Sequence, residues 1–119
     1  MSRVMPPEVR NEIPPGTLDM LMLRTVAHGG PMHGFEIADT IQQRTEDVLR
    51  VEEGSLYPAL QRMLIKGWLA GEWSKTAENR RARYYKLTAA GRKHLEREME
   101  RYQVVSQAIG RILRPVEEA

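Results

Sequence analysis

Basic side chains are concentrated in one short segment of this 119-residue chain. Between Lys75 and His94 there are seven lysines and arginines but a single acid, Glu78, a local excess of +6 in a chain whose net charge is only +2. Clustered cations of this kind bind the phosphates of nucleic acids. The alternative is a solvated surface segment that is merely rich in arginine. We expect phosphate contacts from the residues that border the predicted turn of this segment, Lys75, Arg80 and Arg81.

The segment just before this basic run is predicted to be a helix with two different faces. Its apolar residues recur at intervals of three and four and form one stripe, made of Leu56, Ala59, Leu60, Met63 and Leu64. The other face carries groups that can hydrogen-bond or bear positive charge, namely Tyr57, Gln61, Arg62 and Lys66. Ser55 is placed to cap the start of the helix, and Pro58 is compatible with a first turn. Gly67 can adopt the left-handed conformation that ends it.

Three residues of this helix are candidates for contact with DNA. Tyr57 lies outside the apolar stripe and in the first turn, the part of a recognition helix that enters the major groove. The alternative is that its ring is partly buried and supports the hairpin. Gln61 lies one turn farther along and can hydrogen-bond adenine, or it can simply be solvent-exposed. Ser55 can cap the helix while the helix N-terminus binds a phosphate oxygen.

A first helix is predicted from about Thr17 to His28. Thr17 is placed as its N-cap, and Asp19 is favourably placed against the helix dipole. Its inner stripe consists of Leu18, Leu21, Met22 and Val26. Met20 and Leu23 point elsewhere, and this second apolar edge implies burial on two sides, by the domain and by another subunit.

Two glycines and a proline at residues 29–31 are expected to end the first helix. A second helix is predicted from His33 to about Arg44. Its inward residues are expected to be Phe35, Ile37, Ala38 and Ile41. His33 is expected to cap this helix or to make a buried hydrogen bond. Thr45 to Glu53 then forms a polar linker, so the two helices make a helix-turn-helix with a turn longer than the usual three or four residues.

The pattern after Gly67 is typical of strands. Trp68–Trp73 and Arg81–Leu87 are rich in residues that suit extended backbone, and they are separated by the polar segment Ser74–Arg80. An antiparallel hairpin is therefore predicted, with Tyr85 and Leu87 on one face of its second strand.

A last helix is predicted from Ala89 to about Leu113, capped by Thr88 and ~37 Å long at ~1.5 Å per residue. Apolar residues spaced by threes and fours form a stripe along it, made of Leu95, Met99, Tyr102, Val105, Ile109 and Ile112. A helix this long cannot bury its whole stripe on a domain of this size, so we expect the stripe to pack against a second copy of the chain. Packing back on its own domain is the alternative, because the stripe is too short for a strict heptad assignment.

Three sequence blocks resemble the PadR family of bacterial transcriptional regulators. They are GPMHGFEI at Gly30–Ile37, GSLYPAL at Gly54–Leu60 and RARYYKLTAAG at Arg81–Gly91, and the similarity covers about residues 16 to 95. The chain departs from the family pattern at Phe35, where tyrosine is more frequent. The resemblance implies a winged helix that binds DNA, and it places His33 near the DNA-proximal start of the second helix, where a phosphate contact is expected.

The resemblance also bears on regulation. A single C-terminal helix resembles the smaller PadR subgroup, and membership of the family implies repression of transcription. In some relatives the dimer interface encloses a pore that binds flat hydrophobic compounds, partly through a tryptophan of the last helix. Here Tyr102 is the only aromatic residue of that helix, so a small-molecule effector has no support in the sequence.

The composition argues against several other classes of protein. The chain has no cysteine, which excludes disulfides and cysteine-ligated zinc, and its three histidines lack zinc-ligand spacing. Nothing groups a nucleophile, a base and an acid, so we predict neither enzymatic activity nor a cofactor. No apolar run approaches the roughly 18 residues of a membrane span, and no signal-peptide pattern is found. We therefore expect a cytoplasmic protein without a membrane partner.

These patterns predict a mainly α fold with a small β-hairpin, a winged helix-turn-helix followed by a long C-terminal dimerisation helix. Residues 1–15, with four of the seven prolines, are expected to form a flexible N-terminal arm, residues 16–88 the DNA-binding domain, and residues 89–119 the dimerisation helix and tail. The expected function is sequence-specific regulation of transcription by a repressor that binds a palindrome-like operator as a homodimer. The alternative is a winged-helix module that binds another protein without specific DNA binding.

Overall fold

A small antiparallel sheet packs against four helices in the part of the chain that the structure describes. The computed structural model describes residues 13–14 and 16–116. Its elements follow the order α1 (Leu18–Gly29), β1 (Met32–His33), α2 (Gly34–Arg44), α3 (Glu53–Ile65), β2 (Leu69–Lys75), β3 (Arg81–Leu87) and α4 (Ala89–Leu113). The predicted fold class, mainly α with a small β-hairpin, is confirmed. The predicted arm, residues 1–15, lies outside the described residues except for Ile13 and Pro14.

Helix α1 lies in the middle of the core because two of its sides are apolar. It packs against α2, α3, α4 and β3, and Met22, Leu23 and Val26 are almost wholly buried. Leu23 lies on the second apolar edge that the sequence predicts to be buried, and the domain itself covers this edge of α1. Thr17 is the N-cap residue of α1, as predicted, but its side chain makes no capping hydrogen bond, and its hydroxyl donates to the carbonyl of Pro14 at 2.6 Å.

Helix α2 follows directly on β1, and His33 is its N-cap residue. Ile37 and Ile41 are buried, as their spacing of four residues predicts. Phe35 is 70% exposed, which contradicts its predicted inward position. At ~100° of rotation per residue, Phe35 lies ~200° around the helix from Ile37 and so faces away from the core.

Helix α3 begins earlier than predicted, and this changes the role of Ser55. Glu52 is the N-cap residue, and its carbonyl accepts hydrogen bonds from the N–H groups of Ser55 and Leu56, both at 2.9 Å. Ser55 therefore lies inside the first turn, and its predicted role as N-cap is wrong. Pro58 in turn lies one turn farther into the helix than predicted, where its missing N–H leaves the carbonyl of Gly54 without the usual α-helical donor.

The end of α3 agrees with the prediction. Gly67 has a φ of +76°, in the left-handed region that a residue with a Cβ resists. The N–H of Trp68 donates to the carbonyl of Met63, and the N–H of Gly67 donates to that of Leu64, each at 3.0 Å. This pair of bonds is the Schellman pattern, which satisfies two of the last carbonyls of the helix and turns the chain into β2.

Strands β2 and β3 form the predicted hairpin, and β1 adds a short third strand that was not predicted. The sheet order is β1–β3–β2, and both pairings are antiparallel. Leu69 pairs with Leu87 at the base of the hairpin, and Lys75 pairs with Arg81 at its outer end. At the tip, Asn79 has a φ of +63°, a conformation that asparagine tolerates better than most residues.

Helix α4 begins at the predicted cap and extends well beyond the rest of the domain. The Thr88 hydroxyl accepts a hydrogen bond from the N–H of Gly91 at 2.9 Å. Leu95 is buried in the core and Met99 packs partly against it, whereas the predicted stripe is exposed from Tyr102 onward. The molecule is elongated, with dimensions of 63 × 31 × 22 Å.

Candidate nucleic-acid interface

An open groove of about 1130 Å³ lies between the start of α2, the exposed face of α3 and the β2–β3 hairpin. Four of the seven side chains predicted to contact DNA line it, namely His33, Tyr57, Arg80 and Arg81. They come from three segments that are far apart in the sequence. The fold therefore brings a hydrogen-bonding helix face and a basic hairpin tip to one side of the molecule.

The other three predicted contact residues lie outside this groove. Gln61 is exposed one turn beyond Tyr57 on α3, and Lys75 is exposed at the end of β2, opposite Arg81. Both therefore extend the same side of the molecule. Ser55 is also exposed, but it lines a separate cleft that includes Arg62, because it is ~200° around the helix from Tyr57.

His33 is held by a reciprocal pair of hydrogen bonds at the start of α2. Its Nδ1 accepts from the N–H of Glu36 at 3.3 Å, and its own N–H donates to the Glu36 carboxylate at 3.1 Å. This arrangement is a capping box. The ring also meets Tyr84 edge-on, with 5.4 Å between the ring centroids. The predicted capping role of His33 is thus confirmed, while its contact with phosphate stays a prediction.

Replacing His33 with alanine is expected to lower the free energy of unfolding by about 1 kcal/mol, because the N–H of Glu36 loses its acceptor. Asparagine carries a side-chain oxygen suited to the same bond, so His33→Asn is the matched control and is expected to keep most of the stability. Urea unfolding of the two variants measures the difference. Equal losses in both would contradict the capping role.

The position of Tyr57 depends on a close approach between α2 and α3. Gly34 is buried at the start of α2, where a Cβ would lie 3.1 Å from Leu60 Cδ1 and 3.4 Å from Tyr57 Cε1. A larger side chain at residue 34 would push against both neighbours. The glycine lets the Tyr57 ring rest on the start of α2 while 54% of the residue stays exposed.

The two arginines of the hairpin tip are held by different contacts. The Arg81 guanidinium lies over the ring of Trp73, 4.6 Å from its centroid, a cation–π contact that restricts its rotamers. Arg80 is held through its backbone, since its N–H donates to the Thr76 hydroxyl at 3.2 Å and its carbonyl accepts from the N–H of Thr76 at 2.8 Å. Both side chains therefore project from an ordered turn.

The charges around the groove are divided between its two sides. The hairpin side carries the basic groups, Arg80, Arg81 and Arg83, together with the acid Glu78. The α2 side carries the acids Glu36 and Asp39. The carboxylate of Glu36 is favourably placed at the N-terminus of α2. A nucleic-acid backbone is therefore expected to lie on the hairpin side.

Tyr85 lies on the floor of the groove and is almost fully buried. Burial raises the pKa of its phenol, nearby Arg83 acts in the opposite direction, and Tyr57 adds to the rise. The phenol is therefore neutral at physiological pH. The Arg83 side chain lies flat over Gly71 of β2, where a Cβ would overlap its Nε atom. A glycine at residue 71 is what allows this arginine to cover the sheet.

Two exposed aromatic residues of the groove were not predicted as part of the site. Trp73 is 56% exposed and Phe35 is more exposed still, and both line the groove. For Phe35 the available signal was its helical position relative to Ile37. For Trp73 the signal was the hairpin register, which pairs it with Arg83 and places it on the same face as Arg81. That register could not be read from the sequence because the length of the tip was not known.

Residues 13–14 and 16–116 contain neither a candidate metal site nor a candidate membrane-spanning helix. In this range no three His, Asp or Glu side chains are grouped so that they could hold a metal ion. Among the same residues, no helix combines the length and the apolar character needed to cross a bilayer. The groove gathers most of the residues that were predicted to contact DNA.

The helix-turn-helix of α2 and α3 followed by the β2–β3 hairpin defines a winged helix, a class of DNA-binding domain in which α3 is the recognition helix and the hairpin is the wing. The family model described as the transcriptional regulator PadR-like family matches residues 22–97, more than half of the chain. The chain belongs to this family. It is therefore a DNA-binding transcriptional regulator and not an enzyme, in agreement with the sequence prediction.

Several known proteins are similar over most of the chain. A PadR family transcription regulator from Clostridium difficile R20291 is 27% identical with a TM-score of 0.72, over 83% of this chain and 100% of that one. A PadR family regulator from Eggerthella lenta is 26% identical with a TM-score of 0.73, over 92% of this chain and 88% of that one. An uncharacterized protein from Lysinibacillus sphaericus is 27% identical over 101 residues, 85% of this chain and 92% of its own.

Proposed function

We propose that this protein represses transcription by binding a palindrome-like operator as a homodimer. The observation that carries the proposal is the groove, in which Tyr57 of the recognition helix lies near Arg80 and Arg81 of the wing. Winged helices read bases with the recognition helix and contact the sugar–phosphate backbone or the minor groove with basic side chains. Groups suited to both kinds of contact lie on one face. Membership of a family of transcriptional regulators supports DNA as the partner over the alternative of a protein-binding module.

The proposed dimer forms through the second half of α4. Leu95 is buried in the protomer's own core and Met99 packs against that core, so the partner would cover the rest of the stripe. Its exposed members are Tyr102, Val105, Ile109 and Ile112. Burial of this stripe against the same stripe of a second protomer would remove both from water. We propose that residues 16–88 bind DNA and residues 89–119 dimerise, with Leu95 joining the two parts.

The proposed dimer predicts the form of the operator. A two-fold dimer presents two identical recognition helices, so the operator is expected to contain two inverted half-sites, ~34 Å apart or at a multiple of that distance. The repressor role is supported by the likeness to the PadR family alone. A protein with this role acts where the chromosome is, in the cytoplasm.

Replacing Tyr57 with alanine is expected to cost on the order of 1–3 kcal/mol of binding free energy on the operator and much less on random duplex DNA. The reason is that the ring can touch a thymine methyl while the hydroxyl reaches a base edge or phosphate. The operator is first selected with the wild-type protein from a pool of random duplexes, and fluorescence anisotropy then measures both affinities. Tyr57→Phe removes the hydroxyl alone and separates its contribution from that of the ring.

The same experiment can contradict the proposal in two ways. A Tyr57→Ala protein that loses operator and random binding equally would leave α3 as a scaffold rather than a reader of sequence. Footprinting of the wild-type protein on the selected operator tests the symmetry, and a single unpaired half-site would rule out the dimeric binding mode. Circular dichroism of each variant confirms that the comparison is made between folded proteins.

A further inference from the structure

The end of the recognition helix is hydrogen-bonded directly to the start of α4. The Thr88 hydroxyl donates to the carbonyl of Gly67 at 2.6 Å and also lies 3.1 Å from the carbonyl of Trp68. The same hydroxyl accepts from the N–H of Gly91, and the N–H of Thr88 donates to the Trp68 carbonyl at 3.1 Å. One side chain thus joins the residue that ends α3 to the first turn of α4.

A close backbone approach strengthens this connection. Gly91 is buried in the first turn of α4, and a Cβ built there would overlap the carbonyl oxygen of Trp68 and press on Leu87 Cδ1 at 2.9 Å. Since the atom in the way belongs to the backbone, no change of rotamer relieves the overlap. The absence of a side chain at residue 91 is therefore what allows α4 to lie this close to the turn that follows α3.

An aromatic stack adds a third contact between the same two segments. The rings of Trp68 and His94 are nearly parallel, at an interplanar angle of 10°, with 3.6 Å between their centroids. The Nζ atom of Lys66, the C-cap residue of α3, lies 5.2 Å from the centroid of the Trp68 ring. Trp68 therefore contacts both the end of the recognition helix and the second turn of α4.

We propose that this junction, formed by Gly67, Trp68, Thr88, Gly91 and His94, sets the spacing between operator half-sites that the protein accepts. The inference rests on the proposed homodimer, in which α4 is the element that meets the partner. Because the junction fixes the direction of α4 relative to α3, it also fixes the distance and rotation between the two recognition helices. Gly91 and His94 are then positioning residues that act on DNA through the orientation of α3.

The geometry of α4 allows a small change at the junction to have a large effect at the dimer stripe. An alanine at residue 91 must move away from the Trp68 carbonyl by on the order of 1 Å. Leu95 lies ~6 Å farther along the helix and Ile109 ~21 Å beyond Leu95, at ~1.5 Å per residue. A displacement of this size that pivots at Leu95 moves Ile109 by ~3–4 Å, close to the ~3.4 Å rise of one base pair.

The test uses duplexes that carry the half-sites selected by the wild-type protein, with their centre-to-centre distance changed by one or two base pairs in each direction. The wild type is expected to bind one spacing at least about tenfold more tightly than its neighbours, since each added base pair also rotates the half-site by ~35°. Gly91→Ala is expected to shift this optimum by one base pair or to flatten it to less than about threefold. A duplex with a single half-site should be bound equally by both proteins.

Two further variants make the comparison specific. Gly110→Ala is the matched control, since it makes the same change in the same helix at a position where a Cβ would meet nothing within 4 Å. It is expected to remain dimeric by sedimentation and to keep the wild-type spacing. His94→Ala removes the aromatic stack without forcing the backbone apart. It therefore tests whether the junction sets the half-site spacing even if Gly91→Ala does not fold. It is expected to flatten the spacing preference in the same way.

The outcomes separate the junction from the dimer itself. If the wild type binds all spacings equally, or as a monomer, the proposed homodimeric function fails and the junction proposal fails with it. If the wild type prefers one spacing and the folded junction variants keep that preference, the homodimer stands and the proposal for the junction is overturned. A shifted or flattened preference in Gly91→Ala or His94→Ala, with unchanged single half-site affinity, supports it.

Discussion

Replacing Arg80 and Arg81 together with alanine is expected to weaken binding to every duplex sequence, on the order of a hundredfold at ~50 mM salt. Each arginine that neutralises a phosphate releases counterions, so the loss of two contacts in each protomer, four in the proposed dimer, lowers the magnitude of the slope of log K against log salt by about four. The difference between variant and wild type therefore shrinks as the salt concentration rises. The loss should be uniform across sequences, because contacts with phosphate carry no information about the bases.

The matched control for this prediction is the double substitution of Arg92 and Lys93 by alanine. It removes the same two charges from exposed positions at the start of α4 that do not line the groove. A general effect of net charge would weaken both double variants alike, whereas direct contact by the wing weakens the first much more. Anisotropy titrations over a range of salt concentrations give the two slopes. An Arg80 and Arg81 variant with unchanged affinity at low salt would show that the wing does not contact DNA.

Replacing Ile109 with aspartate is expected to convert the protein to a monomer at micromolar concentration. Ile109 lies within the exposed stripe of α4. Burying an unpaired carboxylate at this position would cost several kcal/mol of the free energy of dimerisation, whether the carboxylate stays charged or takes up a proton. Affinity for the operator should then fall by about a hundredfold or more, because the second half-site is no longer held at a high effective concentration. Affinity for a single half-site should change little. Sedimentation velocity and anisotropy measure the two effects.

Val104 offers a control in the same helix. It is exposed like Ile109, but it lies ~100° around the helix from Val105 and therefore outside the stripe. Val104→Asp introduces the same charge and the same change in helix propensity, and it is expected to remain dimeric. Sedimentation of the wild-type protein as a monomer, or an Ile109→Asp protein that stays dimeric, would contradict the assignment of the interface to this stripe.

Local sequence signals were enough to predict the ends of two helices. Gly67 and Thr88 each act through hydrogen bonds within the adjoining turn, so the residues that determine these caps are contiguous in the chain. The same reasoning failed at Ser55, where the carbonyl of Glu52 takes the N-cap position and the helix begins earlier. Serine suits both an N-cap and a first turn, and local preference alone does not decide between them.

The candidate site was predictable in part. Periodicity placed Tyr57 on the polar face of α3, and charge density identified Arg80 and Arg81, because both signals lie within a short stretch of sequence. The convergence of these residues with His33 on one groove depends on how α2, α3 and the hairpin pack. The same packing brings in Trp73, which the sequence showed only as a strand residue.

The sequence by itself determined the amphipathic stripes, the hairpin and the basic tip, since each follows from residue types repeated at a short interval. Only the tertiary structure decided that the domain covers Leu23 and that the Trp68 ring stacks on His94. It also decided which part of the α4 stripe is left for a partner, because Leu95 is used inside the protomer. These features join segments that are distant in the chain, and their geometry is set by long-range packing that no local pattern encodes.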